Sequence, residues 1–345
     1  HEPYRRQRQM CIRDRSSSST GNIRNRMGLT TSRSLGVNAT YDWKRVKLRS
    51  NIQYVGTDRL EDSRTTVDNY IRKDKSITRS TNNSRTENNN LVANAFLEWK
   101  MDSVTTLIFR PQYRFSANDR ENKGFQEGWG NDVLLNEKVS SGSNHNSQYN
   151  VTMMLQLSRK LSQKGRNVAL KVDYGTNSSS NDRKNLSTTH YFKNDREDSK
   201  NQKIEDDIDG YNYRVQLVYV EPLLWMHHLQ LRYSYQYKVN NSDRFVYDWN
   251  EDLGEFTPDY DESASNQFEN QYSNHLLNLA VRTSRKKYNY NVGVDLEPQK
   301  SVSHSLLSDP PEEPLKRSVL NFSPTVNFRY KFSKRTRLQL SLIHI

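Results

Sequence analysis

Cysteine, proline and long apolar runs are what this sequence has least of. Among 345 residues there are one cysteine, nine prolines and thirteen glycines. The lone cysteine, Cys11, excludes an internal disulfide framework and any zinc site built on several thiolates. No run of about eighteen apolar residues occurs, which excludes a membrane-spanning helix. Apolar residues make up 33% of the chain and the mean hydropathy is -1.02. A soluble domain usually carries about 45–50% apolar residues, so an ordinary closed core is short of material. Aromatics, by contrast, are plentiful, with 20 Tyr, 11 Phe and 5 Trp. Disordered chains are poor in such residues, so wholesale disorder is excluded too.

Motifs that carry enzyme chemistry are also missing. There is no Gly-x-Ser-x-Gly, no His-Glu-x-x-His and no glycine-rich phosphate loop. The chain reads as a non-enzyme without a cofactor. The net charge of +12 raises nucleic acid as a partner. The cations form no stripe, however, and many alternate with apolar residues, so no nucleic acid is expected. The first fifteen residues hold five Arg against Glu2 and Asp14. Residues 1–15 and 341–345 resemble translated sequencing adapter, so they are set aside as non-native, with 16–340 as the folding unit. Cys11 is then non-native as well, and a missing signal peptide says nothing about location.

What is present is period-two alternation. Leu229, Leu231, Tyr233, Tyr235, Tyr237 and Val239 share one face, and Gln230, Arg232, Ser234, Gln236 and Lys238 the other. A helical period of 3.6 would smear both classes around the surface. The same alternation recurs along the chain in about twelve runs, among them Val46 to Tyr54, Leu107 to Phe115 and Tyr211 to Tyr219. The runs pair through short turns near Lys44, Asp102, Gln163, Leu224, Lys286 and Lys334. Between the pairs lie polar stretches at 57–88, 117–147, 176–208, 240–272 and 300–316, expected to be long loops. Short turns at one end and long loops at the other define the expected fold class. It is all-β, an antiparallel transmembrane β-barrel segment of about twelve strands, with short periplasmic turns and long extracellular loops. Pro111, Pro298 and Pro324 fall within strands, where a missing ladder donor predicts local bulges.

Three sets of side chains stand out. Trp43, Trp99, Trp225, Tyr288 and Tyr330 close alternating runs beside the short turns. Amphipathic rings favour the lipid–water boundary, so these read as a periplasmic aromatic girdle. Arg49, Arg110, Arg114, Arg214, Arg232, Arg282 and Arg329 fall on the polar face, hence towards a lumen. Such cations bias a pore towards anions or anchor a plug. The plainer expectation is that they hydrate the interior and pair with Asp42, Glu98, Asp173, Asp295 and Glu297.

The third set is Tyr247, Trp249, Asp259 and Asp261, in an acidic stretch with Glu251, Asp252, Glu255 and Glu262. Its carboxylates suit calcium and its rings suit a sugar or peptide, but a hydrated external loop is the simpler expectation. Glu205 to Gly210 matches only the start of a calcium loop. His227-His228 reads as a wet turn rather than a metal pair. No metal site is expected.

Four strings carry a family resemblance: LEWKMDSVTTLIFRPQY at 97–113, SRKLSQKGR at 158–166, RKKYNYNVGVDLEPQ at 285–299 and NFSPTVNFRYKFSK at 321–334. In order and spacing they resemble the outer-membrane β-barrel family of Bacteroidetes, related to TonB-dependent receptors, over roughly residues 30–340. The resemblance implies location in the cell outer membrane and contact with its lipid. By itself it implies a membrane barrel segment and not transport; the first reading is binding or import of a nutrient at the cell surface, with a periplasmic energy-transducing protein and a surface lipoprotein as the partners the family suggests. The signal peptide, plug and terminal strand of the family have no counterpart in these residues. Two other readings stay open: a plugless structural or pore-forming barrel, and a soluble extracellular carbohydrate-binding β-sandwich. The sandwich predicts a closed core and short loops.

Overall fold

In a computed structural model, residues 28–71, 74–223, 227–307, 313–333 and 336–343 are described. They form thirteen strands. These are β1 (Gly28–Trp43), β2 (Val46–Ile71), β3 (Asp74–Lys100), β4 (Thr105–Gly130), β5 (Val133–Lys160), β6 (Asn167–Tyr191) and β7 (Arg196–Pro222). They continue with β8 (His227–Asn250), β9 (Glu255–Phe256), β10 (Asn266–Ser284), β11 (Tyr288–Ser305), β12 (Leu315–Lys331) and β13 (Arg337–Ile343). Twelve of them lie side by side in chain order, each antiparallel to the next, while the two-residue β9 pairs with β8. Antiparallel neighbours need only tight turns, which is why chain order and sheet order coincide. β1 and β13 form the edges and do not pair with each other, so the described sheet is open.

The turn near Asp102 shows why the short ends are sharp. The Asp102 carboxylate accepts hydrogen bonds from the Val104 and Thr105 amides at 2.7 and 2.6 Å and from Thr105 Oγ1 at 3.0 Å. These donors, the Val104 amide foremost, hold its carboxyl below the usual carboxylate range. At the next turn Gly165 sits at φ 103°, a conformation glycine adopts without steric cost. There Arg166 Nε donates to Glu221 at 2.7 Å and ties the turn to β7. The turns near Leu224 and Lys334 lie outside the described residues.

The long loops are corrected. The stretches expected as loops are mostly strand, and the hairpins close at their far ends by short connections. β4 and β5 run on to Asn131 and Asp132, at φ 49° and 63°. Two consecutive positive φ values match the right-handed twist of a hairpin. The longest connection, 251–265, contains β9, and Gly254 turns there at φ 67°. Asn, Ser and Asp favour turns in isolation. Here cross-strand partners override that preference. Asn118 donates to Asn88, Ser116 Oγ to Asn90 at 2.7 Å, and Arg85 to Asp58 at 2.8 Å.

The expected proline bulges are also corrected. The β4–β5 register passes Pro111 unbroken, and Pro298 and Pro324 pair regularly with Leu320 and Val294. Pairing lapses instead for two residues, at Ala95–Phe96 opposite Pro111 and at His275–Leu276 opposite Pro298, and resumes in the same register. The missing N–H costs a ladder bond, but the flanking pairs hold the alignment. The register shift that does occur is at Gly128/Trp129.

The short connections are those the soluble sandwich predicts, but its second sheet and closed core are not found among the described residues. The long strands form one sheet. Among the described residues the buried apolar side chains are few: Ile204, Val220, Val239, Val246 and Ala280. Leu155, Leu217, Leu231 and Leu279 are 42–46% exposed. The apolar residues therefore line a surface rather than fill a core.

Candidate functional site

Cross-strand register assigns every side chain to one of two faces, since neighbours in register share a face. One line runs Leu48–Leu97–Phe109–Leu155–Val172–Val215–Tyr235. It continues the apolar alternation strand by strand. The adjacent line runs Arg49–Phe96, then Arg110–Met154–Asp173–Arg214–Gln236–Asn274. It lies on the opposite face. All seven arginines singled out in the sequence fall on this second face, including Arg114, Arg232, Arg282 and Arg329.

The polar face is knit by amides more than by ion pairs. Asn278 Nδ2 donates to Asp295 at 2.6 Å and Asn274 Nδ2 to Glu297 at 2.6 Å. Asn278 is 4% exposed, and Ser234 beside it 5%. Arg110 lies over the Phe96 ring, 5.0 Å from its centroid, a cation–π contact. Arg329 donates to Gln339 at 3.3 Å. Of the five carboxylates expected to pair with the arginines, Asp173 alone carries an ion pair among the described residues. It takes Arg214 Nε at 3.4 Å and Lys171 Nζ at 2.9 Å. The expected general pairing is thus corrected: Asp295 and Glu297 are taken up by asparagines.

Trp43, Trp99, Tyr288 and Tyr330 all sit on the apolar face beside the short turns. Tyr288 is directly opposite Tyr330, which stacks edge-on against Phe332 at 4.8 Å. Trp225 lies outside the described residues. The sequence reading missed a second aromatic line, at the other end of the apolar runs. Tyr174, Tyr213 and Tyr237 lie in register, and Phe115 faces Tyr149 four residues farther out. The Tyr213 and Tyr237 rings are 5.7 Å apart. On β7 the signal was an aromatic at each end of the run from Tyr211 to Tyr219, nine residues and so within reach of the roughly 9–11 that a tilted strand needs to span a bilayer core.

The segment with Asp259 and Asp261 folds back onto the end of β8 that carries Tyr247 and Trp249, the Asp261 amide donating to the Val246 carbonyl at 2.7 Å and the Thr257 amide to the Asp248 carbonyl at 2.9 Å. Trp249 packs edge-on against Phe256, 5.1 Å between centroids, and Tyr247 lies under Lys203 Nζ at 5.5 Å. The Asp261 carboxylate accepts from Ser263 Oγ at 2.6 Å and from its amide at 2.8 Å. Those bonds lower its pKa and commit it to its own turn. Glu205 to Gly210 is strand, so its carboxylates alternate between faces rather than circling an ion. His227 and His228 likewise point to opposite faces, and His227 Nδ1 meets Tyr290 Oη at 2.7 Å. Among the described residues no group of three or more His, Cys, Asp or Glu is placed to hold a metal.

Beyond the second aromatic line a cleft of about 1170 Å³ crosses the sheet. Leu29, Leu60, Arg85, Glu121, Lys184 and Phe256 contribute to its lining. Lys184 Nζ lies 5.9 Å from the Phe256 ring centre.

An antiparallel sheet with one apolar, exposed face and one amide- and arginine-rich face has the alternation of outer-membrane β-barrel strands. The comparison with known families agrees. The outer membrane protein beta-barrel family matches residues 159–343, more than half of the chain, and the chain belongs to that family. Its place is the outer membrane. No curated protein matches the chain.

Proposed function

We propose that the sheet is part of the wall of a closed barrel that binds or imports a nutrient at the cell surface, as a TonB-dependent-receptor-like protein of the Bacteroidetes type. The observation that supports the closed, lipid-embedded part is an exposed apolar band on one face, with aromatics at its turn end on β1, β3, β11 and β12 and at its far end on β4 to β8. A closed barrel removes the open edges that make a free sheet prone to aggregation. The strands then continue outside the lipid. β5 runs from Val133 to Lys160, and its apolar segment occupies only the part from Tyr149. At about 3.3 Å per residue the remainder extends roughly 50 Å along the strand. Such walls hold a binding surface clear of the membrane, and the 1170 Å³ cleft lies on them. Import further implies a periplasmic energy-transducing protein and a surface lipoprotein.

The test has two parts. Folded into lipid vesicles, the protein should migrate faster on gels when unheated and should protect its apolar segments from protease. Uptake of a nutrient that depends on this protein should then fall when the energy-transducing partner is deleted. Insertion with partner-independent permeation would favour the plugless pore. Recovery of a monodisperse water-soluble protein would end the barrel reading.

A further inference from the structure

The positive charge of this chain is unevenly spread, and its uncompensated part sits on the polar face opposite the apolar band. There, Asp42 and Glu98 lie on either side of Lys47 in the register. Asp173 takes Lys171 and Arg214. Asp295 and Glu297 take asparagine amides. Arg49, Arg110, Arg114, Arg232, Arg282 and Arg329 are then left without an ion pair among the described residues. They are spread over β2, β4, β8, β10 and β12 rather than clustered on one hairpin. The apolar face carries no such excess. Past its second aromatic line it is acidic, with Asp182 opposite Glu205 and Asp207 opposite Asp243.

We infer that the polar face of the sheet is an anion-attracting surface, and that the solutes it passes or holds are small anions bearing carboxylate, phosphate or similar oxyanion groups. This rests on the barrel reading for the path along that face, though not for the charge itself. Guanidinium groups keep their charge at any physiological pH and match oxyanions with two parallel hydrogen bonds. Charges of one sign lining a cleft with low-dielectric walls raise the local counter-ion concentration by about 10–10³-fold. Lipid behind the apolar face supplies such a wall. The neutral asparagine carpet between the arginines offers donors and acceptors without cancelling the field.

The potential can be read by thiol chemistry. In a Cys11→Ser background, Gln236→Cys places a thiol on the polar face, directly opposite Arg214. Ser180→Cys places one on the other face, directly opposite Asp207. Each variant is reacted with a sulfonate-bearing and a trimethylammonium-bearing methanethiosulfonate. The ratio of anionic to cationic rate should be at least about 10-fold higher at Gln236→Cys. It should collapse in molar salt and fall when Arg214→Gln and Arg232→Gln are added. Equal ratios, or a ratio indifferent to those two changes, overturn the inference. If position 236 proves unreactive, Gln216→Cys on β7 answers the same question. Conductance in planar bilayers tests the barrel separately. A silent bilayer with a high thiol ratio counts against an open pore but not against the anionic preference. A current selective for potassium over chloride overturns the preference.

Discussion

The same strands are two different materials along their length. Beside the short turns, β5 reads Val151, Met153, Leu155 and Leu157 on one face, with Thr152, Met154 and Gln156 on the other. Farther out, the same strand reads VLLNEKVSSGSNHNSQ, and both faces are largely polar. The backbone ladder does not notice the change: β4 and β5 stay in one register from Thr105↔Arg159 to Gly128↔Asn136. In the inner part the two faces differ so strongly that a one-residue slip would move arginines onto the apolar face, so register is fixed by solvation. In the outer part a slip would exchange one polar face for another. There the alignment is inherited from the inner part and kept by individual pairs such as Arg85–Asp58.

The largest expected effect tests the inner part. Leu231→Lys puts a cation on the apolar face between the two aromatic lines. It should cost about 2–4 kcal/mol of folding stability in bilayers, read by urea titration of vesicle-folded protein. Gln230→Lys, one residue away but on the other face, should cost far less. Equal costs would mean that the two faces are not solvated differently, and the comparison would lose its basis. The next effect tests whether the outer part is dispensable. Asp119 and His145 are directly opposite and in side-chain contact. Removing 120–144 and joining them through Asn-Gly gives a two-residue hairpin turn. The shortened protein should still insert and keep its unheated gel mobility. Loss of insertion would show that the outer walls direct the folding of the inner band.

Much of this was legible in the sequence. Alternation from Leu229 to Val239 identified both the strand and its faces, because two faces in different surroundings demand a period of two. The arginines followed from the same period, and the register keeps all seven on one face. What escaped was the outer half of β2 to β8. Residues such as those in TRSTNNSRTENNN at 78–90 carry no apolar period and favour turns locally, so no single segment announces a strand. Its pairing becomes visible only against the partner, Asn88 against Asn118 and Glu87 against Asp119. The second aromatic line was missed for a different reason. Tyr alternates with Leu and Val within the runs, so Tyr213 and Tyr237 read as ordinary apolar positions until register lines them up. The carboxylate partners of the arginines were misjudged because sequence gives opposite charges but not distances.

A smaller effect concerns the pairs that hold the outer part. The hydrogen-bonded Arg85 guanidinium keeps the Asp58 carboxyl below its ordinary value, and Asp58 in turn raises Arg85. A carboxyl with a lowered folded-state pKa contributes stability that is complete above the unfolded value and is lost as pH falls through the folded one. Both groups are exposed, so the contribution is small. Amide exchange around Thr57 and Thr86, corrected for intrinsic rate, should stay constant from pH 7 to about pH 4 and rise below the usual carboxylate range. Arg85→Gln should remove that acid dependence. An acid-triggered loss of protection that persists in Arg85→Gln would assign it to carboxylates other than the Asp58 pair.

The smallest effect lies at the outermost turn. Asn131 and Asp132 both hold positive φ. An L side chain there crowds the neighbouring carbonyl, least for Asn and Asp, and glycine escapes the penalty. Asp132→Gly creates Asn-Gly, the pair best suited to this turn, and should slow local exchange by an amount worth less than about 1 kcal/mol. The gain should be confined to the tips of β4 and β5 and leave urea unfolding of the inner band unchanged. That confinement is what distinguishes two parts held by different forces from one ladder that opens as a unit. If Asp132→Gly shifted the unfolding of the membrane-embedded segment as well, the outer and inner parts would have to be treated as a single cooperative sheet.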